Sequence, residues 1–173
     1  MQVLVVYGSK RGGTEGIARA IGDELATAGL EVRIADAATK PLPDAYDAVI
    51  VGGALYAFRW HKAARRFVKR NAAALGTKPV WLFSSGPLDD SAHDRPPVPV
   101  KQVEKLMGRI GARGHTTFGG RLAHDAKGFP ASAMAKKNAG DWRNWDDIRT
   151  WARTIATELT TNLRQSSTSR MEH

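Results

Sequence analysis

At 173 residues, 42% apolar and 25% charged, the chain has the length of one ordinary domain and the composition of a folded one, so wholesale disorder and two sizeable domains are excluded. No apolar run approaches the ~20 residues that cross a bilayer, and the absence of cysteine excludes disulfides, thiolate metal sites and cysteine nucleophiles. Lys and Arg number 26 against 17 Asp and Glu, and the resulting charge of +9 favours anionic partners: nucleic acid, acidic protein or the anionic face of a membrane.

Met1-Gln2-Val3-Leu4-Val5-Val6 lacks the basic lead and the apolar length of a secretory signal, so a cytoplasmic protein is expected. Val3 to Tyr7 is a continuous apolar run closed by Gly8, the pattern of a buried parallel strand. From Thr14 the period changes: Ile17, Ile21, Leu25 and Ala28 recur at helical spacing, and Gly29 stands where a glycine stops a helix. Leu30 to Ala35 reads as a second strand and Tyr46 to Gly53 as a third. Residues 61–75 form a helix with Ala64, Phe67, Val68, Ala72 and Leu75 on one side. Val80 to Phe83 is the fourth strand, Val103, Leu106, Met107 and Ile110 mark a helix, His115 to Gly119 is a weaker fifth strand, and Ile148, Trp151, Ala152, Ile155 and Leu159 mark the last helix. Strands alternating with helices imply βαβ units and a parallel α/β sheet. One domain over 1–163 is expected, followed by a frayed Ser/Thr-rich tail over 164–173. The long connections 86–99 and 122–140 are of the kind that carries function.

In such a sheet a ligand binds at the carboxyl ends of the strands. There the chain reads Gly8-Ser9-Lys10-Arg11-Gly12-Gly13-Thr14 and runs straight into a helix, whose free N–H groups and dipole suit a phosphate. Ser9 and Thr14 can donate to phosphate oxygens, Gly12 and Gly13 allow close approach, and Lys10 and Arg11 add charge. A P-loop would read G-x-x-x-x-G-K-S/T; Thr14 follows Gly13 directly and the lysine is missing, so nucleotide hydrolysis is disfavoured. The dinucleotide pattern G-x-G-x-x-G is absent, which leaves Asp36 as a loop-capping acid rather than a ribose ligand. A response-regulator receiver is rejected as well, because Tyr7-Gly8 and Gly52-Gly53 stand where its acids would be. The remaining alternative is a tight turn with no ligand.

After the third strand comes Ala54-Leu55-Tyr56-Ala57-Phe58-Arg59-Trp60-His61, with three aromatics at alternate positions. A flat heteroaromatic ring needs backbone groups at its polar edge and apolar faces above and below. Tyr56, Phe58 or Trp60 could cover a face, and one or two of them are expected to pack on the following helix instead. After the fourth strand, Ser84-Ser85-Gly86-Pro87 is a hydroxyl-rich turn able to meet the ring's other edge.

Together these segments resemble the flavodoxin superfamily, and within it the menaquinone-dependent protoporphyrinogen IX dehydrogenase branch. The likeness covers most of residues 2–160 and is carried by Ser9 to Ala18, by Tyr46 to Ala54, by His61 to Lys69, and by Asp141-Trp142. The resemblance implies a flavodoxin-like, doubly wound five-stranded sheet of order 2-1-3-4-5 with helices on both faces. It also implies FMN held by Ser9–Thr14, by Ala54, Leu55, Tyr56, Ala57 and Phe58, and by Ser84, Ser85, Gly86 and Pro87. The implied activity is oxidation of protoporphyrinogen IX with a quinone as acceptor, in heme biosynthesis. The chain departs from that branch in two places: 122–140 is shorter and more polar than the branch's insertion, and the segment with Asp89, Asp90, His93, Asp94, Pro96 and Pro97 differs.

Lys62, Arg65, Arg66, Lys69 and Arg70 lie opposite Phe67 and Val68 on their helix, beside the expected ligand mouth. Such a face could draw the propionates of a porphyrinogen or rest on anionic lipid at the inner face of the membrane. No nucleic-acid reader motif appears. His61, His93, His115, His124 and His173 show no metal spacing; His61 and His124, on loops at the ligand end, are proton-relay candidates or plain surface residues. An electron carrier without catalysis, and a deazaflavin in place of FMN, stay open as alternatives.

Overall fold

The computed structural model describes residues 1–86, 99–122 and 139–171. The first apolar run forms β1 (Gln2–Gly8) and leads into α1 (Gly13–Thr27) and β2 (Glu31–Asp36). Asp36 then caps the short turn Ala37–Thr39, its Oδ1 accepting from the Ala38 N–H at 2.8 Å. That is the loop-capping part its position suggested.

β3 (Ala48–Tyr56) folds back into β4 (Arg59–Trp60), and α2 (Lys62–Arg70), α3 (Ala72–Leu75) and β5 (Val80–Ser85) follow. The single helix expected over 61–75 breaks at Asn71. That buried side chain donates to the Phe67 carbonyl at 2.9 Å, which also accepts from the Asn71 N–H at 3.1 Å. The third strand runs to Tyr56 rather than stopping at Gly53. α4 (Lys101–Ile110), β6 (Gly114–Phe118), the two-residue strands β7 (Arg121–Leu122) and β8 (Gly140–Asp141), and α5 (Trp145–Met171) complete the chain. α5 continues through the Ser/Thr-rich end, for which composition suggested a frayed tail.

Five strands pair in parallel in the order β2-β1-β3-β5-β6, the expected doubly wound arrangement once the strands are counted as the sequence showed them. β4 adds antiparallel to the end of β3, and β7 pairs antiparallel with β8 apart from the main sheet. Parallel strands are covered on both faces, which is why they read as unbroken apolar runs. On one face Ile17, Ile21 and Leu25 of α1 and Ile148, Ala152, Ile155 and Leu159 of α5 bury Val3, Val5, Ile50, Trp81 and Phe83. On the other, Ala64, Phe67 and Val68 of α2, Leu75 of α3 and Val103, Leu106 and Ile110 of α4 bury Leu4, Val6, Val49, Val51, Val80 and Leu82. Asn144 starts α5 by accepting from the Asp146 and Asp147 N–H groups at 3.0 and 3.2 Å.

Candidate functional site

The sheet register brings the predicted segments together. Gly8 at the end of β1 lies opposite Gly53, and Ala54 lies opposite Ser85, which in turn faces Phe118. The carboxyl ends of β1, β3 and β5 therefore form one edge, where doubly wound sheets bind ligands.

The loop Ser9–Gly12 carries the chain from β1 to α1. Gly12 has φ 74°, the left-handed conformation that glycine adopts without strain, and it is the N-cap of α1. It brings no side-chain oxygen, so the first N–H groups of the helix have no capping side chain. Gly13 is buried behind it. Thr14 is 1% exposed, and among the described residues its hydroxyl has no hydrogen-bond partner. A buried unpaired hydroxyl costs on the order of 1–3 kcal/mol, and at this place a ligand oxygen would satisfy it. One contact fixes the loop from β3 and one from within. The Lys10 N–H donates to the Tyr56 hydroxyl at 3.3 Å, and the Arg11 N–H donates to Ser9 Oγ at 3.3 Å. The donor set (a hydroxyl, a glycine cradle and a helix N-terminus) fits a dianionic phosphate.

The aromatics of the second segment divide as expected. Trp60 is 2% exposed and packs among the residues of α2, while its backbone N–H donates to Gln102 Oε1 at 3.1 Å. Tyr56 is half-buried beside the loop, with the Arg11 guanidinium 5.8 Å from its ring and the His61 ring 6.1 Å away. Between them the chain turns at Ala57 and Phe58, with φ 47° and 59°. Two consecutive left-handed residues make the tight hairpin that Asn-Gly ordinarily supplies, so Ala57 and Phe58 hold it at a cost of about 1–2 kcal/mol each. Phe58 is 86% exposed at the tip.

His61 is not a plain surface residue. It is half-buried and caps α2, its Nδ1 accepting from the Ala63 N–H at 3.3 Å. Gly8 makes the close approach possible, since a Cβ there would lie 2.7 Å from that nitrogen. Burial first, and then the Lys10 ammonium, push the imidazole below its ordinary value, so the fold favours the neutral ring. Stability from this group is therefore fully present above the unfolded value of about 6.5 and is lost as pH falls through the lower folded value. A His61→Asn protein, which caps at any pH, should lose less melting temperature between pH 7 and pH 5 than the parent; equal slopes would remove His61 from this role.

In the third segment Ser84 is 1% exposed and its Oγ pairs with His115 Nε2 at 3.0 Å, an inward commitment to the sheet. Ser85 and Gly86 end the strand, with the Gly86 N–H donating to the Phe118 carbonyl at 2.9 Å. Pro87, the segment with Asp89, Asp90, His93, Asp94, Pro96 and Pro97, the stretch 123–138 with His124, and His173 lie outside the described residues.

Sequence reasoning missed a second group beside the loop. Arg121 on β7 lies against Gly13, where a Cβ would stand 3.4 Å from the Arg121 Cβ. Arg143 donates through Nη1 to the Gly13 carbonyl at 3.3 Å and is paired with Asp141, whose carboxyl it holds below its ordinary value. The conspicuous Asp141-Trp142 pair was the one nearby signal. Among the described residues no His, Asp and Glu cluster could hold a metal, and no helix is long and apolar enough to cross a membrane.

A family model described as a flavodoxin domain matches residues 4–136. The chain is a member of the flavodoxin-domain family. As a flavodoxin domain it shares its fold with a cysteine-to-serine mutant of the Pseudomonas aeruginosa flavodoxin, at 20% identity and a TM-score of 0.60 over 92% of this chain and 99% of that one. The rubredoxin oxygen:oxidoreductase of Desulfovibrio gigas matches at 16% identity and a TM-score of 0.63, over 94% of this chain and 37% of that one. Among curated proteins, the Escherichia coli (strain K12) protoporphyrinogen IX dehydrogenase (quinone) is 28% identical over 86 residues, 49% of this chain and 48% of that protein. The match thus spans about half the length of the curated relatives. The flavodoxin fold implies flavin binding.

Proposed function

We propose that this flavodoxin domain binds FMN and works as a flavin-dependent oxidoreductase, taking electrons from protoporphyrinogen IX and passing them to a quinone. The observation that carries the cofactor reading is the Thr14 hydroxyl, 1% exposed and, among the described residues, unpartnered at the start of α1. In this reading Ser9 to Thr14 hold the phosphate, with the hydroxyls of Ser9 and Thr14 donating and Lys10 and Arg11 supplying charge. Ala54, Leu55, Tyr56, Ala57 and Phe58 bound the ring on one side, and Ser85, Gly86 and Pro87 bound it on another. Ser84 contributes through the strand end rather than its hydroxyl, which His115 already engages. The flavin, when bound, supplies two-electron and one-electron chemistry, and the protein supplies orientation and electrostatics.

The half-length likeness to the Escherichia coli enzyme supports the donor and acceptor. The exposed surface supports it too: Arg59 stands beside Phe58 in the hairpin, and Lys62, Arg66, Lys69 and Arg70 are exposed along α2, which follows it. A cationic face with a projecting apolar ring suits a carboxylated, hydrophobic porphyrinogen, and equally the inner, anionic face of a membrane where quinones reside. On this reading the protein works in the cytoplasm, in peripheral contact with lipid. A non-catalytic electron carrier is the second reading; the charge of +9 then calls for an acidic partner.

The test is a titration of the purified protein with FMN, followed by quinone reduction with and without protoporphyrinogen IX. Bound-flavin absorption bands and donor-dependent quinone reduction are expected. Bands without donor-dependent turnover would favour the carrier, bands shifted to those of a deazaflavin would replace the cofactor, and no binding at all would end the flavin assignment.

A further inference from the structure

We propose that Arg143 is a positioning residue for phosphate recognition: it holds the Gly13–Thr14 peptide so that the Thr14 N–H faces the mouth of the loop. The inference rests on the phosphate reading of that loop.

The N-terminus of a helix is the positive end of its dipole, an unfavourable place for a buried cation. Yet the Arg143 side chain is only 8% exposed there. Its Nη1 donates to the Gly13 carbonyl at 3.3 Å. The Trp145 ring lies 4.5 Å from the guanidinium carbon. Asp141 accepts from Nε at 2.7 Å through Oδ1 and from Nη2 through Oδ2. The carboxylate neutralises the guanidinium and fixes its plane through Nε and Nη2, which leaves Nη1 to reach Gly13. Gly16, one turn along α1, leaves the room: a Cβ there would stand 2.6 Å from Arg143 Nη1 and 3.6 Å from the Trp145 ring.

A trans peptide is planar, with its C=O and the following N–H pointing in opposite directions. Anchoring the Gly13 oxygen on Arg143 therefore aims the Thr14 N–H away from Arg143. A cationic donor on the carbonyl also polarises the peptide and strengthens its N–H as a donor. Arg143 thus acts on the phosphate through the backbone, across 130 residues of sequence.

The experiment compares FMN with riboflavin, which lacks the phosphate, in the parent, in Arg143→Met and in Gly16→Ala. The second variant leaves Arg143 chemically intact and closes its seat. FMN affinity should fall about tenfold in both variants, the size of one lost charge-aided hydrogen bond, while riboflavin affinity stays within about twofold. Should one variant fail to fold by circular dichroism, Asp141→Asn takes its place with the same expectation. Folded variants that keep the parent's preference for FMN, or that lose both ligands equally, overturn the positioning role. A parent with no preference for FMN over riboflavin overturns the phosphate reading itself, and this inference with it.

Discussion

A Thr14→Val protein is expected to be more stable than the parent in the absence of flavin and to bind FMN about 1–3 kcal/mol more weakly. The two effects have one cause. Among the described residues the Thr14 hydroxyl is buried without a partner, so exchanging it for a methyl group of similar shape removes an uncompensated desolvation cost on the order of 1 kcal/mol. In the complex the same hydroxyl would donate to a phosphate oxygen, and valine leaves that oxygen short of a donor. Thermal melts with and without FMN read both at once: the apoprotein melts higher and the shift produced by FMN shrinks. A variant with undiminished FMN affinity would remove Thr14 from the phosphate site. An apoprotein that melts lower would mean that the hydroxyl has a use in the free fold.

A large loss of stability is expected from Gly53→Ala. A Cβ at Gly53 would stand 2.5 Å from Trp60 Nε1 and Cε2, and Gly53 itself sits in a central strand paired on both sides. Trp60 would have to leave its pocket, taking with it the burial of a large aromatic, worth about 3 kcal/mol or more. For a chain of this length that corresponds to a fall of roughly 6–12 °C in melting temperature. Trp60 also pairs across to Leu55 and so holds the hairpin that presents Phe58, which means flavin affinity should fall as well. Gly108→Ala is the control: nothing lies within 4 Å of a Cβ there, and an alanine inside α4 should raise stability by about 1 kcal/mol. A Gly53→Ala protein as stable as the parent would show that Trp60 has somewhere else to go.

The five parallel strands could be read from sequence because each is covered on both faces and so appears as an apolar run. α1 was legible through Ile17, Ile21 and Leu25, and the Gly12-Gly13-Thr14 turn through residues whose chemistry is local to it. The end of β3 was not. Gly52-Gly53 looks like a strand terminus, and in sequence nothing distinguishes a glycine that ends a strand from one that clears space. In the structure Gly52 lies under the Phe83 ring and Gly53 under Trp60, one on each face, and the strand continues to Tyr56. The hairpin at Ala57-Phe58 was hidden for a related reason: its left-handed residues are ones that disfavour that conformation. The link from Arg143 to Gly13 had no local signal, because only the folded chain brings them together.

The position of α5 bears on where this protein can be cut. The family match ends at residue 136, before Asn144 and the whole of α5. Yet Ile148, Ala152, Ile155, Ala156 and Leu159 seal one side of the sheet, over Val3, Val5 and Phe83. An expression fragment drawn to the limits of the match would leave that side wet and self-adhesive. It would also discard the arginine that steadies the first turn of α1. The segment beyond the matched region thus completes, with α1, one of the two layers that cover the sheet.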